Sequence, residues 1–191
     1  IRKLETKDLE DLKENGVIVL NEFIKSNSLK QINLEVKSWL NKVTFNNNLS
    51  TSVIGNNQWI SHIGLCSKTS LDIALDLNLI DFIENYFGED IILGECSFQK
   101  KILPEKKTID WHSDREGGIY VFVFLNDINI NTGATTFIKK SHINKESENE
   151  SYKVGDGPTY ISKSVIENYI NDSIESFGGP GTIVIFNQNI W

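Results

Sequence analysis

The hydrophobic pattern of this chain changes period once, close to Gly88, and that change limits the folds open to it. Upstream, apolar residues recur in steps of three and four. Leu29, Ile32, Val36, Trp39 and Leu40 form such a stripe within residues 26 to 43, with Leu34 off it, which predicts an amphipathic helix. A second helical region covers residues 70 to 90, with a break expected near Asn78 and Gly88 as its stop. Residues 6 to 15 open on Thr6 as a candidate cap and carry Leu9 and Leu12 at helical spacing. They run into Gly16, placed as a C-cap glycine before the short strand "VIVL" at 17 to 20. Residues 46 to 64 are rich in Asn and Ser and read as a loop with one short strand.

Downstream of Gly88 the helical period gives way to short apolar runs bounded by turn residues. "IILGECSFQKKIL" is β-like, "IYVFVFLND" is a strand between "GG" and "ND", "TGATTFIKKSH" is a turn and a strand, and "GTIVIFNQ" follows the turn signal "GGPG". Residues 143 to 176 form an acidic, then mixed, insert or lid, with "YISKSVIENYI" as a short helix within it. Helices first and strands later predict an α+β, mainly β domain: helices packed outside a largely antiparallel sheet or barrel.

Composition narrows the function classes. A chain of 191 residues, 39% hydrophobic and 24% charged, supports one folded domain over residues 1 to 191 and argues against disorder. A net charge of -7 gives nucleic-acid binding no electrostatic support. No apolar stretch is long enough to span a bilayer and no leader is visible at the start, so no membrane partner and a cytoplasmic location are expected. Cys66 and Cys96, the two cysteines, are read as reduced thiols. The chain opens on Ile1, has no methionine, and ends in "GTIVIFNQNIW", inside a strand and its exit. The expectation is a domain truncated at the C-terminus.

The segment with most chemistry in it is "DWHSD". If it is extended, alternate side chains share a face, so His112 and Asp114 converge on one point. An imidazole and a carboxylate so placed supply two ligands of the 2-His-1-carboxylate triad that holds iron(II) and leaves open positions. The third ligand then has to come from another strand. The same triplet also arises by chance as a surface hydrogen-bonding pair. Rival motifs are weaker. "FGGPGT" lacks the lysine and helix of a phosphate loop. Glu146, Glu148 and Glu150 lie in a polar run suited to a solvated loop. Trp39, Trp59 and Trp111 suit a core or a pocket wall.

The order of motifs resembles the phytanoyl-CoA dioxygenase family over nearly the whole chain. "LEDLKENGVIVLNEFIKSNSLKQINLEVKSWL" resembles its opening, and "LDIALDLNLIDFIENYFGEDI" the helix that follows. "WHSD" is similar to its metal-binding triplet, most closely that of the ectoine hydroxylases. "NTGATTFIKKSH" and "GPGTIVIFNQNIW" resemble the strand before a Ser-His turn and the strand leading to the distal histidine.

That resemblance implies a double-stranded β-helix (a jelly roll, cupin-like) with N-terminal helices outside. It also implies an Fe(II)- and 2-oxoglutarate-dependent dioxygenase that uses O2, with His112 and Asp114 as metal ligands. The third ligand is expected directly after Trp191, and the 2-oxoglutarate-clamping arginine further on. His142 matches the Ser-His turn, which is not a ligand in that family. Gln99 aligns with an amide near 2-oxoglutarate, and Lys101 shares its strand face. Gln99 reads equally as a strand residue facing water, and for Lys101 a solvated lysine is the favoured reading. Tyr120 is a candidate substrate contact or a core tyrosine. With a carboxylate at 114, hydroxylation or desaturation of a small molecule is expected, with release of succinate and CO2. The other readings are an inactive β-helix binding module without a complete triad, and a cupin-like enzyme using another metal.

Overall fold

A computed structural model describes residues 1–41, 51–54, 57–101, 110–114, 117–143, 151–153 and 158–191. Its helices are α1 (Thr6–Asn15), α2 (Ser26–Leu40), α3 (Lys68–Ala74), α4 (Leu77–Phe87) and α5 (Lys163–Tyr169). Its first strands are β1 (Val17–Leu20), β2 (Thr51–Ile54), β3 (Asn57–Ile60), β4 (Phe98–Lys101), β5 (His112–Ser113) and β6 (Ile119–Val123). Then follow β7 (Thr136–Ile138), β8 (Ser151–Lys153), β9 (Thr159–Ile161), β10 (Ser173–Glu175) and β11 (Ile183–Asn187). The residues group into two compact units. One holds Ile1–Lys3 and Ile24–Lys107, the other Leu4–Phe23 and Thr108–Trp191.

In the first unit, α2 buries Leu29, Ile32 and Val36, and leaves the off-stripe Leu34 64% exposed. The helical stretch after residue 67 divides ahead of Asn78. The Asp76 side chain accepts the Asn78 N–H at 3.0 Å and caps α4, the role a short carboxylate fills best at a helix start. Gly88 stops α4 in the left-handed conformation (φ 76°) and donates its N–H to the Glu84 carbonyl at 2.7 Å. Two strands, β2 and β3, stand where the sequence predicted one. β3 is stabilised by distant pairing, Trp59 against Gln99 and Ile60 against Phe98 in β4, which local pattern does not reveal. Conversely, residues 91 to 97 are not in a strand. No described strand pairs with them, and Ile92 is 92% exposed.

Glu35 ties α2 to the start of α3. Its carboxylate accepts from the Ser67 hydroxyl (2.6 Å), the Thr69 hydroxyl (3.0 Å), the Thr69 N–H (3.2 Å) and the Gln31 amide (2.8 Å). Burial pushes the pKa up, but these four donors together outweigh it and bring it down to about 2. A depressed carboxylate pKa contributes stability above its unfolded value of 4.5, and that stability is lost as pH falls toward 2. With solvent screening the loss is about 1 to 2 kcal/mol. Acid titration of urea stability for the wild type and Glu35→Gln should therefore show a difference at pH 6 that vanishes near pH 2. A difference that persists at pH 2 would contradict this account.

In the second unit, β11 is the central strand of an antiparallel sheet ordered β1-β11-β6. Val17 and Tyr120 flank Phe186, and Val19 and Phe122 flank Val184. Ile183, Val184, Ile185 and Phe186 are all buried, which accounts for the unbroken apolar run. The cap of α1 is Glu5, one residue before the expected Thr6. Asp8 reaches back to accept the Glu5 N–H at 3.0 Å, and Glu5 accepts from the third helical N–H, forming a capping box. Gly16 ends α1 at φ 77° and its carbonyl accepts the Asn187 N–H at 2.9 Å. The His142 ring occupies the space a Cβ on Gly16 would need. The stretch 143–176 supplies sheet strands: β9 pairs with β5 and β8, and β10 pairs with β7. α5 falls where the short helix was expected. Glu146, Glu148 and Glu150 lie outside the described residues.

Candidate metal centre

His112 and Asp114 stand on and just past β5, a strand of two residues held by β9, with His112 opposite Tyr160 and Ser113 opposite Thr159. The flanking Trp111 carbonyl accepts the Ile161 N–H at 2.9 Å. On the other side, the Asp114 N–H donates to the Gln188 carbonyl at 2.8 Å, and the Gln188 N–H to the Gly118 carbonyl at 3.0 Å. The pair is therefore fixed from both ends by backbone bonds to distant parts of the chain.

The imidazole is oriented as a ligand needs it. His112 Nδ1 lies 2.7 Å from the Asp110 carbonyl. A carbonyl only accepts, so Nδ1 carries a proton, and in the neutral ring Nε2 is the nitrogen that offers a lone pair to a metal. Backbone anchoring of the second ring nitrogen is the usual way a metal-binding histidine is held in its tautomer. Nε2 lies 3.8 Å from Asp114 Oδ1, and the two side chains are 28% and 36% exposed. Bond lengths of roughly 2.1 Å at a right angle place two ligand atoms about 3 Å apart, so a modest side-chain rotation closes the pair on one ion. Burial pushes the Asp114 carboxyl above the usual range, opposed by the neighbouring His112. The donor set fits iron. Among the described residues, no group of three His, Cys, Asp or Glu side chains converges.

Trp191 is anchored close by in the fold. Its N–H donates to the buried Ser141 hydroxyl at 2.9 Å, and its carbonyl accepts the Ile138 N–H at 2.7 Å. Its ring lies in a cluster with Ile138, Ile161, Val165 and Ile166, against which Trp111 also packs. Ser141 completes the arrangement by donating to the Ile138 carbonyl at 2.7 Å. Ser141→Ala strands the Trp191 N–H in a dry environment and should cost about 1–3 kcal/mol. Urea denaturation checks it, and a loss below about 0.5 kcal/mol would mean the hydroxyl contributes no more than a surface group.

The remaining sequence candidates lie on other elements. Gln99 and Lys101 lie on β4 in the first unit, and Gln99 is exposed. Tyr120 is on β6 and is 40% exposed; its ring packs on Phe122 and Phe186, at centroid distances of 6.4 and 5.5 Å. His142 is committed elsewhere, its Nε2 donating to the Lys13 carbonyl at 3.2 Å. Cys66 and Cys96 are unbridged. Two residues of this region escaped the sequence reading. The Tyr160 ring lies 5.9 Å from that of His112, and Gln188 bonds directly to the Asp114 backbone. Tyr160 sits in the stretch taken for an insert. The "NQN" run at 187 to 189 was its own signal: the Asn187 side chain accepts the Asn189 N–H at 2.8 Å and turns the chain out of β11.

No helix among the described residues is long and apolar enough to cross a membrane. No family model matches the chain, and no curated protein matches it. Solved structures do. The epimerase SnoN, crystallised with Fe3+, alpha ketoglutarate and nogalamycin RO, is 14% identical. The match covers 95% of this chain and 73% of SnoN, at a TM-score of 0.69. EctD from S. alaskensis, with 2-oxoglutarate and 5-hydroxyectoine, is 17% identical over 98% of this chain and 68% of EctD, at 0.70. HygX from Streptomyces hygroscopicus, with nickel, 2-oxoglutarate and hygromycin B, is 14% identical over 100% and 80%, at 0.63. The chain shares the fold of these three proteins.

Proposed function

We propose that this chain is the core of an Fe(II)- and 2-oxoglutarate-dependent dioxygenase of the phytanoyl-CoA dioxygenase type, closed as a double-stranded β-helix. It would hydroxylate or desaturate a small organic molecule and release succinate and CO2. The observation that carries this reading is the His112–Asp114 pair: 3.8 Å apart, part-buried, with the Nδ1 proton held by Asp110 so that Nε2 faces the carboxylate. The fold shared with proteins crystallised with 2-oxoglutarate supports it.

His112 and Asp114 would hold the iron, and a histidine directly after Trp191 would complete the set. The anchoring of Trp191 in the cluster that Trp111 joins supports that placement. Iron, once bound with 2-oxoglutarate, supplies oxygen-activating redox chemistry that no side chain has. The protein's share is to fix the ligands, exclude water and orient the substrate. Gln99 and Lys101 are proposed contacts of 2-oxoglutarate, and Tyr120 of the substrate.

The test is 2-oxoglutarate consumption by the full-length protein under air, with and without added Fe(II). This needs no prime substrate, because uncoupled turnover also consumes 2-oxoglutarate. Iron-dependent succinate formation is the expected result. A protein that binds neither iron nor 2-oxoglutarate would instead be a binding module on the same scaffold.

A further inference from the structure

One polar side chain beside the metal pair has nothing to do in the fold. The carboxamide of Gln188 lies flat on Gly118, filling the space that a Cβ there would occupy. The Gln188 backbone is doubly tied, its carbonyl accepting the Asp114 N–H and its N–H donating to the Gly118 carbonyl. Its side-chain amide, by contrast, makes no hydrogen bond among the described residues, although the residue is half-buried. A carboxamide offers two donors and an acceptor with two lone pairs, and this one, reaching the surface, keeps them available to a ligand.

The surroundings say what would use it. Gly118 precedes β6, whose alternate residues Tyr120 and Phe122 share one face, with Phe124 just past its end. Across the sheet, Phe186 joins them, with ring centroids 5.5 Å from Tyr120 and 4.8 Å from Phe122. Phe124 is buried in the core, but Tyr120 and Phe122 are 40% and 37% exposed, so this end of the aromatic face is open. A flat apolar body can lie over these two rings, with a polar group at the Gln188 end.

We propose that Gln188 is a specificity-determining residue: its carboxamide hydrogen-bonds a carbonyl, hydroxyl or amide group of a substrate whose flat apolar body lies against Tyr120 and Phe122. The inference rests on the functional reading above only in calling the ligand a substrate.

Two probes of matched shape test it, naphthalene-2-carboxamide and 2-methylnaphthalene. Each is titrated by NMR into the ¹⁵N-labelled full-length protein loaded with zinc(II), which does not turn over. The amide should bind roughly five- to tenfold more tightly, the ratio one hydrogen bond supplies, and should shift the Gln188 side-chain NH2 signals. Gln188→Leu should bring the ratio to about one. Gly118→Ala, which keeps the carboxamide but displaces it, should do the same and covers the case of a misfolded Gln188 variant. Equal affinities in the wild type, no detectable binding of the amide, or a ratio preserved in Gln188→Leu would overturn the proposal. Zinc uptake is read separately against His112→Ala. If the protein takes no metal, the metal assignment fails, and the probe ratio in metal-free protein still decides the role of Gln188.

Discussion

On the proposed reading, replacing His112 by Ala should abolish tight ferrous-iron binding by the full-length protein, and any iron-dependent 2-oxoglutarate consumption with it. The reasoning is geometric. Nε2 is held toward Asp114 because Nδ1 is spent on the Asp110 carbonyl. Perturbing a residue behind a ligand costs roughly 10- to 100-fold in metal affinity, so losing the ligand itself should cost at least about 100-fold. The fold should tolerate the change, since the ring is part-exposed and its strand is held by backbone pairing to β9. Anaerobic calorimetry with Fe(II), beside a circular-dichroism check of folding, measures it. Asp114→Asn serves as the companion, keeping the size and removing the charge. Undiminished iron affinity in folded His112→Ala would remove this residue from the site and leave the proposed chemistry without its anchor.

The second large effect is on stability. Phe186→Ala should cost about 3–5 kcal/mol, the range for emptying a buried aromatic site. Phe186 is 5% exposed, sits in the central strand, and packs against Phe137, Phe122 and Tyr120 at centroid distances of 4.7, 4.8 and 5.5 Å. Such edge and tilted ring contacts add to the burial itself. Domains of this size are typically stable by only about 5–15 kcal/mol, so the variant lies near its folding limit. Urea unfolding should show a lower midpoint at unchanged slope. A loss below about 1 kcal/mol would mean the sheet recloses around the void.

How much of this was legible beforehand depends on how local each signal is. α2 declared itself through Leu29, Ile32 and Val36, because a helix writes its buried face at fixed spacing. β11 did so through four consecutive apolar residues. The Gly16 and Gly88 stops were readable because a left-handed helix end favours glycine. The closeness of His112 and Asp114 (3.8 Å) was legible because alternate residues of an extended segment need no partner to share a side. Pairing was not legible. Nothing near Asn57–Ile60 announces that Phe98–Lys101 will lie beside it, and nothing near Thr159–Ile161 announces His112. The cap at Glu5 escaped because Thr6 is the commoner choice, and Asp8 decided the matter by reaching back. Gln188 was a plain surface-type residue until Gly118 was seen beneath it.

The place of β11 between β1 and β6 has a consequence for the newborn chain. Val17 pairs with Phe186, and with roughly 170 residues between them, ribosomes adding about 5–20 residues per second impose a wait of roughly ten to thirty seconds. Through that interval the edge of β1 that β11 will later join stands open, and for the last third of it the edge of β6 as well. Folding of this sheet is thus a closing act rather than a progressive one.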